Sequence, residues 1–519
     1  MQPDPGLLFS HLLTGALLII GGGAIPESVD QAFVWRLANH PPERTVVILA
    51  AAAAEPQRTS QAIFDRLQAA SVNPQRIVVG DSDTKRLIEQ LRSACAVWIC
   101  GGRQSRLAKA YPGDEVAAEL RALLQRDGTI AGTSAGAAIM TKVMFSGDGK
   151  GPQLAAGWHL LPGAFVDPHF WQRDRADRAD RLRSAVALHP DRFGVGIDEA
   201  TGVLVQGREL MVLGRGSVTI MVAGNATRSA TEMVLRTGDR ADLQQLRRAA
   251  YARSIGMQPG IPTGPSPSCE SGALVIVGGG GMPQAIVDRF IELAGGKSAR
   301  IVVLPTAMPR YQAIKAEIPG FLRQADVTEV TLLPASTPQE IEGPKFQNAL
   351  ATATGVWFDG GRQWRFVDAY EQTNAVKLFH EVLRRGGVVG GTSAGATILG
   401  EYLVRGHPLG NQIMMAEGYE RGFALFPGTA IDQHFSQRRR HADLIPVIAL
   451  HPQMLGIGLD EATALIVQGT QAKVVGRGAV YFLTGRHAAN VAADTDNPAS
   501  AYRVVTSGST IDLTEVNGN

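Results

Sequence analysis

Two pentapeptides, Gly132-Thr133-Ser134-Ala135-Gly136 and Gly391-Thr392-Ser393-Ala394-Gly395, each hold a serine between small residues. Each follows an apolar run and precedes a second one (AAIM, ATIL), the strand–turn–helix setting in which G-x-S-x-G exposes a nucleophile. Small neighbours let the flanking backbone pass the tight turn. The amide of Ala135 or Ala394, at the start of the following helix, is placed to stabilise an oxyanion. A serine is a weak nucleophile and needs a base, which in turn needs an orienting acid. Few of the 11 histidines recur between the two halves. His169 and His434 do, in VDPHF and IDQHF, and so do His189 and His451, in ALHP. The second pair follows an amphipathic stretch and precedes proline, so helix-end capping is its expected role. Glu199 and Glu461 recur in G-[IL]-D-E-A-T at the start of an apolar strand, 30 and 27 residues after their histidines. Singly, each would pass for a buried histidine or a turn glutamate. Jointly they predict two triads, Ser134-His169-Glu199 and Ser393-His434-Glu461. The chain order Ser…His…Glu differs from that of ordinary α/β-hydrolase esterases.

The elements that must position these residues occur twice. ALLIIGGGAIP pairs with ALVIVGGGGMP, AVWICGGRQSR with GVWFDGGRQWR, FVDPHFWQRDR with AIDQHFSQRRR, and FGVGIDEATGVLVQG with LGIGLDEATALIVQG, at offsets of 257 to 265 residues. Identical order at a nearly constant offset means a duplicated domain, with surface-loop insertions causing the drift. The expected division is 1–253, a Pro/Gly/Ser-rich linker at 254–272, and 273–519. The helical stretch DLQQLRRAAYARS has no evident counterpart in the second half. Within each copy short β-branched runs alternate with amphipathic ones, which predicts an α/β fold with a mostly parallel sheet covered on both faces. The end of each copy reads as antiparallel β-hairpins with glycine turns.

Bulk properties exclude other classes. The 519 residues are 45% hydrophobic and 19% charged, with a formal net charge of +2, so nothing global attracts nucleic acid or an anionic membrane. No apolar run is long enough to span a bilayer. LLTGALLII lacks a basic flank and a cleavage site, and reads as a buried first strand rather than a signal peptide. Cys95, Cys100 and Cys269 are too few for a disulfide framework and read as reduced thiols. A cytoplasmic location is therefore expected, with secretion behind a removed leader as the alternative. The glycine clusters fail the dinucleotide pattern, because its third glycine falls on Pro26 and Pro283. With no metal-binding spacing either, no metal and no cofactor are expected.

GTSAGA, the GG-x-Q loop, DQHF followed by arginines, and the D-E-A-T strand together resemble the cyanophycinase branch of the peptidase E-like serine peptidases, over nearly all of both copies. The resemblance implies two tandem three-layer α/β/α domains similar to class I glutamine amidotransferases. It implies cleavage beside β-linked aspartate, with cyanophycin, a poly-aspartate carrying arginine on each side chain, giving β-Asp-Arg. It places Gln104 and Gln363 at the family's substrate-contacting glutamine, and offers Gly102 and Gly361 as second oxyanion donors. Family arginines stand 4, 6 and 9 residues after the histidine. The first copy has Arg173, Arg175 and Arg178; the second has Arg438 and Arg440, then Asp443. These arginines are expected to meet substrate carboxylates, although Asp174–Arg178 and Asp177–Arg181 also have the spacing of surface helix pairs. The second copy keeps Asp432-Gln433 before His434 as substrate contacts, whereas the first has Asp167-Pro168. Both loops read GGRQ where the family often has GGDQ, so Arg103 and Arg362 bear on which side chain is accepted. The alternatives are an aspartyl dipeptidase acting on α- or isoaspartyl peptides, and a tandem protein with one inactive, binding copy. The expected partner is a peptide substrate, not nucleic acid or membrane. Duplication further suggests an intramolecular pseudo-dimer of the halves, open to further oligomerisation.

Overall fold

The computed structural model describes residues 13–41, 44–146, 153–171, 177–257, 267–325, 327–491 and 497–517. The chain divides into two compact units, Met1–Met257 and Gln258–Asn519. Residues 258–266 of the Pro/Gly/Ser stretch lie outside the described residues. No helix among the described residues is long and apolar enough to cross a membrane.

Each unit is built on an eight-stranded sheet. In the first, Leu13–Ile20 lies between Thr129–Thr133, to which it is parallel, and Thr201–Gly207, to which it is antiparallel. The parallel side continues through Ala94–Ile99, Thr45–Leu49 and Ile77–Val79. The antiparallel side continues through Glu209–Gly214 and Arg240–Asp242. The second unit repeats this order strand for strand around Cys269–Val277. The central strands are apolar at successive positions because both faces are covered. Leu17 and Ile19 enter one core with Leu87, Leu91, Leu120 and Leu123. Ala16, Leu18 and Ile20 enter the other with Phe33, Leu37 and Leu67. Helix Glu27–Leu37 illustrates the fit: Val29, Phe33 and Leu37, four residues apart, face the sheet, and Phe33 meets Trp98 edge-on at 5.2 Å. Phe290 and Trp357 repeat the contact at 5.1 Å.

A second sheet packs beside the first. Ala164–Pro168 runs parallel to Phe193–Ile197, with Pro168 opposite Ile197. Phe426–Gln433 and Leu455–Leu459 repeat this, with Gln433 opposite Leu459. In-register parallel strands end side by side, so the residues just beyond them, the histidine and the D-E-A-T turn, emerge as neighbours. The helix Leu243–Ser254 does have a counterpart. Helix Leu513–Asn517 follows the same edge strand, and an aspartate caps both turns: Asp242 accepts from the Gln245 amide at 2.8 Å, Asp512 from the Thr514 amide at 3.0 Å.

Candidate active site

Three consecutive carbonyls at the end of the central strand assemble the site. Ile20 O accepts from the Ser134 amide at 3.0 Å, Gly21 O from His169 at 2.8 Å, and Gly22 O from Ala200, the residue after Glu199, at 3.0 Å. In the second unit Val277, Gly278 and Gly279 accept from Ser393, His434 and Ala462 at 3.1, 2.7 and 2.8 Å. The glycines are required by close approach. A Cβ on Gly22 would lie 2.2 Å from the His169 ring, and one on Gly279 would lie 2.2 Å from the His434 ring. The glycine run that fails as a dinucleotide motif is thus the seat of the His–Glu pair, a role that sequence reasoning missed.

The side chains meet as hydrogen-bonded chains. Ser134 Oγ stands 2.8 Å from His169 Nε2, and His169 Nδ1 stands 2.6 Å from Glu199 Oε1. In the second unit the distances are 2.9 Å for Ser393–His434 and 2.6 Å for His434–Glu461. In the tautomer with Nδ1–H donating to the glutamate, Nε2 accepts from the serine hydroxyl. The two histidines differ in cover: the His169 side chain is 26% exposed, that of His434 10%. Desolvation draws His434 below the usual histidine range, against the pull of Glu461, and Arg438 and Arg440 push it the same way.

The rest of D-E-A-T is also accounted for. Asp198 accepts from the Trp171 amide at 3.1 Å and the Ser217 amide at 2.9 Å; Asp460 accepts from Ser436 at 3.0 Å and Ala479 at 3.1 Å. Each aspartate therefore ties the segment after the histidine to the glutamate turn. Sequence reasoning missed them, although their recurrence beside the glutamates was the available signal.

Ala135 and Ala394 open short helices, where the first amides have no intrahelical partner. Gly101 and Gly360 flank the serines: a Cβ on them would lie 3.3 Å from Ser134 Cβ and 3.6 Å from Ser393 Cβ. Gly102 and Gly361 follow at φ +145° and +149°, and a Cβ there would strike the Ala52 or Ala307 carbonyl at 2.0 or 2.4 Å. The GG loop is thereby brought beside the elbow. Gln104 is half-buried in the first unit, whereas Gln363 is buried and donates to Val404 O at 3.1 Å. His189 and His451 pack their rings on Phe165 and Tyr402, past the ends of their helices.

The arginines divide. Arg173 and Arg175 lie outside the described residues. Arg438 is exposed. Arg178 is turned inward, where it bonds Asp167 at 2.8 Å and Pro168 O at 2.6 Å; Arg181 joins it, with Nε 3.1 Å from Asp167. Both reach a fully buried carboxylate, which a charge taken out of water needs as a partner; Asp174, the surface acid that the spacing offers Arg178, lies outside the described residues. Asp432 is likewise fully buried, held by both Nε and Nη2 of Arg405 at 2.8 Å and by Arg440 at 3.1 Å. Arg440 also donates to Gln433 O at 2.7 Å and to Gln433 Oε1 at 3.2 Å, and Gln433 is itself buried. Arg178, Asp432, Gln433 and Arg440, expected at the substrate, are thus all buried and bonded within a frame beneath the histidine loop.

A family model described as peptidase family S51 matches residues 17–213 and again 274–475. A cyanophycinase from Synechococcus elongatus is 31% identical over 229 residues, 43% of this chain and 70% of its own length. One from Geminocystis herdmanii (strain PCC 6308) is 28% identical over 206 residues, 39% of this chain and 76% of its own. Among solved structures, a peptidase from an acI-B1 Actinobacterium aligns at a TM-score of 0.36 and 20% identity, covering 45% of this chain and 98% of that one.

Proposed function

The chain belongs to peptidase family S51 and is a serine peptidase, and from that premise we propose that both halves hydrolyse cyanophycin, each through its own Ser-His-Glu set, releasing β-Asp-Arg dipeptides. The observation that carries this reading is the hydrogen-bonded chain from serine through histidine to glutamate in each half.

Ser134 Oγ attacks the scissile backbone carbonyl while His169 Nε2 takes its proton. Glu199 holds Nδ1–H, fixes the tautomer and stabilises the imidazolium. The developing oxyanion lies toward the amides of Ala135 and Gly102. The imidazolium protonates the leaving amine, and the C–N bond breaks to leave an acyl-serine. Water, deprotonated by the same imidazole, then hydrolyses that ester and restores the serine. Ser393, His434, Glu461, Ala394 and Gly361 take the same parts in the second half.

The test is dipeptide release from purified cyanophycin by wild type, Ser134→Ala, Ser393→Ala and the double variant. The double variant is expected to lose about 10⁴- to 10⁶-fold in kcat, and each single variant to keep the turnover of its intact centre. Loss in one single variant alone makes the other half a binding domain. Wild type inert on cyanophycin but active on isoaspartyl dipeptides moves the assignment to a dipeptidase.

A further inference from the structure

In the second unit one wall joins the elbow to the histidine loop. Gln363 bonds Val404 O at 3.1 Å, and Arg362 Nη2 bonds His407 O at 2.7 Å. Arg405, between those two carbonyls in sequence, is paired with Asp432, two residues before His434. Arg362 therefore sits between this wall and the Gly360–Gly361 loop that flanks Ser393. It is half-buried, and its Nε is enclosed without a hydrogen-bond partner among the described residues. No carboxylate pairs with it among the described residues, and desolvation alone draws its guanidinium below the usual range. A half-buried cation without an anion is costly, and here the His407 carbonyl holds its planar fork in place. In the first unit Arg103 occupies the matching position but is exposed.

We propose that Arg362 is the carboxylate-binding residue of the second centre, and that this centre depends on a free carboxylate of its substrate where the first does not. The carboxylate belongs to the residue carried on the aspartate side chain, whose α-carboxyl group stays free when its amine forms the isopeptide bond. This rests on the peptidase reading above. Bidentate pairing suits a fixed guanidinium fork, and the ion that completes the pair arrives with the substrate.

The test uses a two-unit β-Asp-Arg peptide with its arginine carboxylates free or amidated. In the Ser134→Ala protein, where only the second centre turns over, Arg362→Gln is expected to reduce the preference for free acid over amide about 10- to 100-fold, chiefly through KM, and Arg362→Lys to recover part of it. In the Ser393→Ala protein, Arg103→Gln is expected to leave the preference at the first centre unchanged. Equal loss on both peptides would make Arg362 a mere prop for the wall, and an unchanged preference would remove it from the site; either overturns the proposal. Should the second centre turn over neither peptide, the peptidase reading of that half fails. Calorimetric binding to the Ser134→Ala/Ser393→Ala protein then decides the role of Arg362 alone. Tighter binding of the free acid, with the margin lost in Arg362→Gln, supports it; no margin overturns it.

Discussion

Asp167 and Asp432 stand two residues before their histidines, both fully buried, and both meet two arginines. The arginines come from different places. In the first unit one helix, Asp177–Leu188, supplies both Arg178 and Arg181. In the second, Arg440 comes from the turn after the histidine and Arg405 from the wall segment. Arg405 also meets Asp443, which stands where the first unit has Arg178. What the fold demands is compensation of a buried carboxylate, and any guanidinium that reaches it will serve. Reassigning that task has a side effect. Because Arg405 also bonds Asn411 O at 2.8 Å and its amide bonds Met414 O at 2.9 Å, the second unit's wall is tied to its histidine loop.

The largest test of equivalence between the halves is chemical. Glu199→Gln and Glu461→Gln, each assayed with the other serine removed, are expected to lower kcat by about 10³- to 10⁴-fold at their own centres. A much smaller loss in one half would break the symmetry. Next comes the buried frame. Asp432→Asn leaves Arg440 without its carboxylate and Arg405 with Asp443 alone, and Asp167→Asn takes the buried carboxylate from Arg178 and Arg181; each is expected to cost about 3–5 kcal/mol of stability in urea unfolding of the full chain. The frame reading fails for whichever variant unfolds like wild type.

A smaller effect separates the histidines. The base works when neutral, so a His434 held below the usual range places the acid limb of kcat/KM in the Ser134→Ala protein below that of an ordinary histidine. Removing a cation with Arg438→Gln raises the histidine pKa and moves the limb to higher pH. Because Arg438 is exposed, the shift should shrink with added salt. The smallest effect concerns the residue before each GG loop. Burial pushes the Asp359 carboxyl up, against the Gly360 amide that favours the anion at 3.1 Å. An acid with a raised folded pKa makes the protein lose stability as pH rises from the ordinary aspartate range through that folded value. Asp359→Asn keeps an acceptor for Gly360 and should flatten that slope. Cys100, the counterpart, is pushed up to about 12 by burial and stays protonated through neutral pH, so Cys100→Ala should leave the slope near neutrality unchanged.

The parts of the site legible in the sequence were those whose chemistry lies in one side chain and whose motif recurs: the serines, histidines and glutamates. The sheet was legible because burial on both faces leaves runs such as ALLII. What stayed hidden was set by tertiary partners. Nothing in the sequence around Arg405 points to Asp432, 27 residues away. The helical spacing of Arg178 and Arg181 pointed to surface pairs because a local rule cannot see a buried acid on a neighbouring strand. The glycines at 21–23 carry no phosphate-binding pattern; Gly22 lets an imidazole lie against bare backbone, while Gly21 and Gly23 make room for the Asp198 carbonyl and the Glu199 side chain.

The backbone itself carries a further consequence. Ser134, His169 and Ala200 have φ of +54°, +53° and +52°, and Ser393, His434 and Ala462 have +55°, +52° and +54°. A side chain in such a conformation costs about 1–3 kcal/mol, which glycine would largely relieve. Each half therefore has three single-residue routes by which drift could trade its working geometry for a more restful chain. A spare copy left by gene duplication would be free to take any of them. Neither half has taken one: all three strained positions persist in both, whatever rewiring has occurred in the buried frames around them.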